Sequence, residues 1–364
     1  MAGKDTKRCY NAQKQWNSGV FAMKDWLKRA YRRYIIDALS AMGMGLFASL
    51  IIGLILSQLS AISLLSFLAP FGAVVAASSP VVGAAIGVAI GYGLKVVPLA
   101  VFSCAAAGAF GYQMSGPVGA YLAAVVGAEL GGRVAGKTKV DIIAVPTVVI
   151  VAGGLITNLT ASGITAGIAA LQRFLETATT LQPVPMGIVV SVVFGLALTA
   201  PISSAALAAM IFTVPEGETM GLGLMLAAGA ATVGCCCQMV GFAVSSFREN
   251  GVSGLIAQGL GTSMLQVGNI LRSPLILVPP TLASAILGPL STTVFQMKNA
   301  GSSAGMGTSG LVGQFGTWAV MAGEGALWKM ALLHFLLPAA LSLAISEIMR
   351  RKNWIRSGEM KLEL

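Results

Sequence analysis

The sequence predicts an all-α, polytopic integral membrane protein of about ten transmembrane helices plus re-entrant hairpins, because lipid tolerates only backbone that is internally hydrogen-bonded. Composition is the first observation behind this. Of 364 residues, 56% are hydrophobic and 10% charged, with a mean hydropathy of +0.83, whereas soluble chains carry about 25% charged residues. The second is a set of long apolar runs, such as Ile35 to Leu59, Gly221 to Val244 and Ala326 to Ile345, near the roughly 20 residues that cross a bilayer as a helix. The third is the way other runs are broken by Gly, Pro, Ser and Thr, with 45 glycines spread through the apolar segments where they permit close helix contact.

Taken in order, residues 1–33 form a basic, aromatic segment. Nine lysines and arginines face Asp5 and Asp25 there, interleaved with Trp16, Phe21, Trp26, Leu27 and Tyr31. That pattern suits an amphipathic helix on an anionic lipid surface, and nucleic acid is not expected as a partner. The membrane body follows over 34–348, and 349–364 is a short basic tail. Spans are expected at about 35–58, 62–78, 80–101, 104–131, 140–158, 160–178, 186–213, 221–245, 253–288 and 326–348, with 289–325 as a re-entrant hairpin. Pro70, Pro80, Pro98 and Pro117 blur the boundaries in 60–131, and Lys95 falls where a span should be. Residues 253–272 place Gln258, Thr262, Gln266 and Asn269 at helical spacing, an amphipathic helix on the cytoplasmic surface or against a polar cavity.

Basic residues cluster at both ends and at Arg133, Lys137, Lys139 and Arg248, while Glu216 and Glu218 sit in a loop without a basic residue. The positive-inside rule makes both termini cytoplasmic, places Glu216 outside and requires an even number of spans.

Enzymatic chemistry is not expected, because no hydrolase triad, phosphate-binding loop or metal-spaced cluster is present, and no cofactor is implied. Cys235, Cys236 and Cys237 are consecutive on an apolar helix, so they point about 100° apart and read as small core residues. His334, amid Leu332, Leu333, Phe335 and Leu336, reads as a structural histidine.

Two polar interruptions point to a binding site, since paired broken segments mark the midplane site of many transporters. One is Thr199-Ala200-Pro201-Ile202-Ser203-Ser204, where proline frees carbonyls and Thr199, Ser203 and Ser204 supply hydroxyls. The other is Met297 to Gly310, continuing to Gln314, with Asn299, Ser302, Ser303, Thr308, Ser309 and Gln314. Asn269 is a further candidate. Neutral amides and hydroxyls suit a small polar, polyhydroxylated solute. An anion fits instead if Lys298 or Arg272 faces the cavity; if both reach an interface, neither is functional. Glu324, between Gly323 and Gly325, is an intramembrane carboxylate with Lys329 or Arg272 as candidate partners.

The run Gly305-Met306-Gly307-Thr308-Ser309-Gly310-Leu311-Val312-Gly313-Gln314, with Thr199 to Ala206 upstream, resembles the membrane subunit IIC of the bacterial phosphotransferase system, in the stand-alone branch of perfringolysin-regulator-type membrane proteins. The resemblance runs from about Tyr34 to Ile348. It implies a homodimer with a scaffold half, and a transport half whose hairpins hold sugar and move by an elevator displacement. It also implies IIA and IIB partners acting in trans, since the chain has no such domain. The Gly-Ile-Thr-Glu-Pro motif of glucose-type relatives is absent. The alternatives are a ligand sensor that keeps the fold and signals through its basic N-terminus, and a proton-coupled carrier using Glu324.

Overall fold

The computed structural model describes residues 27–60, 63–76, 78–200, 203–214 and 219–362, without the side chains of Gln58 and Ser302. The interfacial segment 1–26, Cys9, Pro201, Glu216 and Glu218 therefore lie outside the described residues. Those described are helical with no strand, and five helices are long and apolar enough to cross a membrane.

The N-terminal half is a stack of antiparallel helices sealed by small residues. Helix α1 (Leu27–Ser57) is followed by the short α2 (Ser63–Val74), then α3 (Pro80–Gly93) and α4 (Pro98–Val134). Helix α2 folds back on α1, with Gly72 against Gly53 and Ser57. Helix α3 runs antiparallel to α1, since Gly45 meets Ala85 and Ile86 while Gly93 meets Ala41 and Asp37. Helix α4 is two arms: Ser115 and Gly116 leave helical geometry, Gly116 at φ +62, and Pro117 starts the return. Glycine tolerates that left-handed turn and proline suits the first turn of the new arm. The arms lie side by side, Gly111 against Gly119 and Ala100 near Gly131. The expected spans at 80–101 and 104–131 are thus corrected, with the chain reversing at 94–97 and again at Ser115–Gly116. Lys95, the misplaced charge of the sequence, sits exposed in the first of these turns at φ 56.

Helix α5 (Asp141–Leu181) is a second correction. Two spans were expected over 140–178, and the structure has one unbroken 41-residue helix, which at 1.5 Å per residue is about 60 Å long, twice the hydrocarbon thickness. Gly153, Gly154 and Gly163 lie within it, but none is followed by a proline or left-handed residue that would turn the chain. Its lower part packs on α4 through Val149 against Gly127 and Gly131, while only 22% of its most apolar window is buried.

The C-terminal half is built around α8 (Leu222–Ser245), 94% of whose apolar window is buried. Helices α6 (Pro183–Thr199) and α7 (Ser204–Phe212) precede it. Helix α9 (Phe247–Ile256), α10 (Val267–Arg272) and α11 (Pro274–Thr293) follow, then α12 (Val312–Met321) and α13 (Ala326–Arg351). Helix α6 runs parallel to α8, with Ser191 packed on Gly234, and antiparallel to α11, with Gly187 on Gly288. Glu176 of α5 caps α8, accepting from the Gly223 and Leu224 amides at 3.0 and 2.6 Å, where a carboxylate complements the helix dipole.

The tail after Arg351 lies along the end of the molecule that also holds the starts of α1, α5 and α9. The Met360 carbonyl accepts from Asn250 Nδ2 (2.8 Å) and Gln266 Nε2 (3.0 Å), and the Lys361 carbonyl accepts from Asn269 Nδ2 (2.9 Å). Ile355 and Met360 are buried with Phe242, Ile276 and Met349, and Arg350 pairs with Glu249 at 3.1 Å.

Candidate functional site

Three segments of the C-terminal half enter the helical bundle and turn back before crossing it. The first is α6 with α7. Helix α6 ends at Thr199, and α7 begins at Ser204 with Ser203 as its cap, its hydroxyl accepting from the Ala206 amide at 3.1 Å. Helix α7 then returns toward the end where α6 began, because Gln172 Nε2 of α5 donates to the Ile211 and Thr213 carbonyls, each at 2.9 Å, close to the Glu176 cap. The expected through-going span at 186–213 is corrected to a re-entrant pair, with the reversal falling between Thr199 and Ser204.

The second enters from the tail end. Helix α9 leads into a π-helical turn at Ala257–Gly261, Thr262 is extended at φ −161, a tight turn follows at Ser263–Gln266, and α10 leads back to the tail. The single span expected at 253–288 is broken here and again at Ser273, where α11 starts. The polar spacing of 253–272 reflects the alternative of a helix against a polar interior: Gln258 and Gln266 are fully buried and bonded to each other at 2.9 Å.

The third is the glycine- and serine-rich hairpin, which enters from the opposite end. Its path follows α8 inward. The Asn299 amide bonds the Met225 carbonyl, the Ala304 carbonyl accepts from Thr232 Oγ1 at 3.3 Å, and Thr308 reaches Met239. Gly307 marks the tip at φ +54, where a Cβ would also press on the backbone of Cys235 and Cys236. The chain then returns through α12.

The three turns touch one another deep in the bundle. Thr308 Oγ1 donates to the Gly259 carbonyl at 2.5 Å, joining the tips of the two opposed hairpins. Ser204 Oγ donates to the Gly305 carbonyl at 2.6 Å, joining the α6–α7 turn to the third hairpin. Thr199 Oγ1 shares a 2.8 Å hydrogen bond with Ser263 Oγ and donates to Gln238 Oε1 at 3.2 Å, while Gln238 Nε2 donates to Thr281 Oγ1 at 3.0 Å. Thr199, Ser204, Gln238, Ser263 and Thr308 are all buried. Buried hydroxyls and carboxamides must be paired, and here they pair between separate segments rather than within one helix.

Of the residues expected from sequence, Thr199, Ser203, Ser204, Thr308, Ser309 and Gln314 lie at or beside this convergence. Asn299 and Ser303 are buried one step back and brace the hairpin arms: Asn299 Nδ2 donates to the Gly313 carbonyl (2.9 Å) and Thr317 Oγ1 (3.1 Å), and Ser303 Oγ donates to Asn299 Oδ1 at 2.6 Å. The Ser302 side chain lies outside the described residues. Asn269 belongs to the tail contact instead. Glu324 is exposed on the turn after α12 and pairs with Lys298 at 2.9 Å, in place of Lys329 or Arg272 as partner. Arg272 is exposed at the tail end. Neither cation adds charge to the convergence, whose groups are neutral.

Sequence reasoning missed Ser263, Gln238, Thr281 and Thr232. Gln238 was legible as the one carboxamide in the apolar run Leu222–Ser245; Ser263 and Thr281 become visible only once the hairpins are folded together.

In a family comparison, the model of the phosphotransferase system EIIC family matches residues 36–362. The chain belongs to this family. The match reaches from Ile36, within α1, to Leu362 in the tail, so the tail contact lies within the family domain. This EIIC chain is accordingly a multi-pass membrane component of phosphotransferase transport, a permease at family level, in a family whose members are not catalytic by themselves. No curated protein and no solved structure matches it.

Proposed function

We propose that this EIIC chain is a permease for a small, uncharged, sugar-like solute held where the three turns meet. The observation that carries the reading is the contact set Thr308–Gly259, Thr199–Ser263 and Ser204–Gly305. Hydroxyl and carboxamide groups on separate re-entrant segments can exchange their mutual hydrogen bonds for those of a polyhydroxylated ligand. A buried set of this kind also rejects solutes that leave its groups unpaired.

Access alternates because the two hairpins enter from opposite ends. Withdrawing 257–266 opens the site toward the tail end, and withdrawing 299–311 opens it toward the other. The C-terminal half would carry this site as an elevator against the N-terminal half, as part of a homodimer in a bacterial inner membrane. Lys28, Arg29, Arg32, Arg33, Lys95, Arg133, Lys137, Arg248, Arg272, Arg350 and Arg351 gather at the tail end, which supports that end, with both termini, as cytoplasmic. The contacts among the described residues support eight membrane passes, an even number, five of them made by helices long enough to span a bilayer. IIA and IIB proteins would supply the phosphoryl group at the cytoplasmic mouth.

Uptake of radiolabelled hexoses and hexitols, in cells that supply IIA and IIB proteins, tests the reading. At least one should accumulate with wild type and fail with Thr199→Val, Ser263→Ala or Thr308→Val. If one binds but none is moved with any phosphoryl-transfer partner, the sensor reading replaces this one. If all three variants transport normally, the site is elsewhere.

A further inference from the structure

The last helix changes hydrogen-bond register over Ala331–Leu336, a π-helical segment that carries His334. Such segments within α-helices concentrate at functional sites. His334 is fully buried, against a core that includes Met330 and Leu333. Its Nδ1 lies 3.0 Å from the Gln314 amide, and its Nε2 has no hydrogen-bond partner among the described residues.

The Gln314 amide has one orientation that satisfies both of its ends. Its nitrogen then donates to the Gly307 and Leu311 carbonyls, each at 3.3 Å, and its oxygen accepts from His334 Nδ1. That fixes the ring as the Nδ1–H tautomer. The two carbonyls bracket the hairpin tip. Gly307, Gly310 and Leu311 all have left-handed backbone, at φ +54, +52 and +60, and Leu311 has no glycine freedom to make that conformation easy. Between them lies Thr308, whose hydroxyl reaches Gly259 on the opposed hairpin.

We infer that His334 is a positioning residue for the solute site: its Nδ1–H orients the Gln314 amide, which holds the strained tip so that Thr308 and the tip carbonyls face the convergence. The inference rests on the reading that the tip binds solute. The histidine acts through Gln314 and needs no contact with the ligand. Were the amide to lose its acceptor-side partner it could flip, and the two tip carbonyls would face its oxygen instead of its nitrogen.

The test compares His334→Asn with His334→Leu in the full-length protein. Asparagine offers an amide N–H where the ring offers Nδ1–H, while leucine preserves apolar packing and offers none. The first readout is hydrogen exchange of amides 307–312 without added solute. His334→Leu should raise exchange there on the order of tenfold while the rest of α8 and α13 stays protected, as in local opening, and His334→Asn should stay near wild type. Gln314→Leu should give the same signature, and the double variant with His334→Leu should add nothing, as expected of one coupled unit. Unchanged exchange at 307–312 in His334→Leu, or an Asn variant no better than Leu, would overturn the proposal, as would additive effects in the double variant. Uptake of the hexose or hexitol that the wild type accumulates is the second readout. Loosened exchange with normal uptake would uphold the positioning of the tip and overturn the tip as solute site; lost uptake with unchanged exchange would do the reverse.

Discussion

The two halves of this molecule bury polar groups in opposite ways. In the N-terminal half, Ser49, Ser103 and Thr157 each hydrogen-bond a carbonyl one turn back on their own helix, and the close helix contacts are made largely by glycine against backbone, with Tyr121 donating across to the Tyr34 carbonyl at 2.7 Å and Arg33 pairing with Glu129 near the helix ends. In the C-terminal half, Thr199, Ser204, Gln238, Ser263 and Thr308 bond across elements that are distant in sequence. A polar group tied to its own helix leaves that helix free to pack as an apolar rod. One tied to a neighbour makes packing depend on the neighbour's position. In the proposed transport cycle the first half would serve as the frame, and the second as the part whose internal contacts are exchanged.

The sharpest way to break this contrast is to substitute one positive-φ glycine in each half. Gly116 and Gly307 both have left-handed backbone, but a Cβ at Gly116 meets open space while one at Gly307 meets the Cys235–Cys236 backbone. Gly116→Ala should cost about 1–3 kcal/mol of stability, read as a drop in melting temperature in detergent, with uptake intact. Gly307→Val should reduce uptake to background while the protein still expresses and inserts, because strain and overpacking of about 1–3 kcal/mol fall on a turn that must form the site. Loss of uptake from both would remove the distinction between frame and site.

A smaller effect separates Gln238 from Thr157, both fully buried. Gln238→Leu removes the bonds that link Thr199 to Thr281, leaving Thr199 with Ser263 and Thr281 with the Leu277 carbonyl; at about 0.5–1.5 kcal/mol for each bond lost, it should weaken uptake affinity roughly ten- to a hundredfold. Thr157→Val removes only a bond within one helix and should leave affinity within about threefold. Equal effects at the two positions would mean that the cross-element network is structural throughout.

Truncation after Lys352 comes next. It exposes the sites of Ile355 and Met360, each worth about 1.5–3 kcal/mol when buried, and leaves Asn250, Gln266 and Asn269 without their tail carbonyls. Hydrogen exchange should rise over 247–272 and stay unchanged over 80–134. Gln266 bonds Gln258, the residue before Gly259, so the Thr308 contact should loosen with it. Exchange rising evenly through both halves would instead make the tail a general clamp.

These contrasts also show what the sequence could reveal. Its all-helical membrane character, the glycine-rich hairpin and the broken segment at 199–204 were legible because hydropathy and chain breaks are local properties. The spans at 140–178 and 186–213 were misread because length alone cannot tell a 41-residue helix from two short ones, nor a crossing from a V-shaped return. Thr199 was legible beside Pro201, but its partner Ser263 was not, since only the meeting of two hairpins brings them within 2.8 Å. Asn269 looked like a site residue because its helical register matched Gln266 and Gln258; register does not say that the register-mates face the tail.

The smallest expected effect concerns the charged pair at the mouth of the glycine-rich hairpin. Lys298 and Glu324 are 2.9 Å apart, but nearly half of the Glu324 side chain is exposed, and ion pairs open to solvent contribute about 0–1 kcal/mol. Glu324→Gln should therefore change uptake by no more than about threefold, with the same pH dependence as wild type, and Lys298→Gln should match it. A proton-coupled carrier would behave otherwise. If Glu324 carries the coupling proton, its amide variant should lose accumulation driven by a pH gradient in proteoliposomes holding only this protein, while exchange of solute between the two faces continues. That result would move the functional centre from the buried neutral convergence to the hairpin rim. A small, pH-independent effect would leave the charged rim as a clasp on the hairpin's base and the solute with the hydroxyls and carboxamides beneath it.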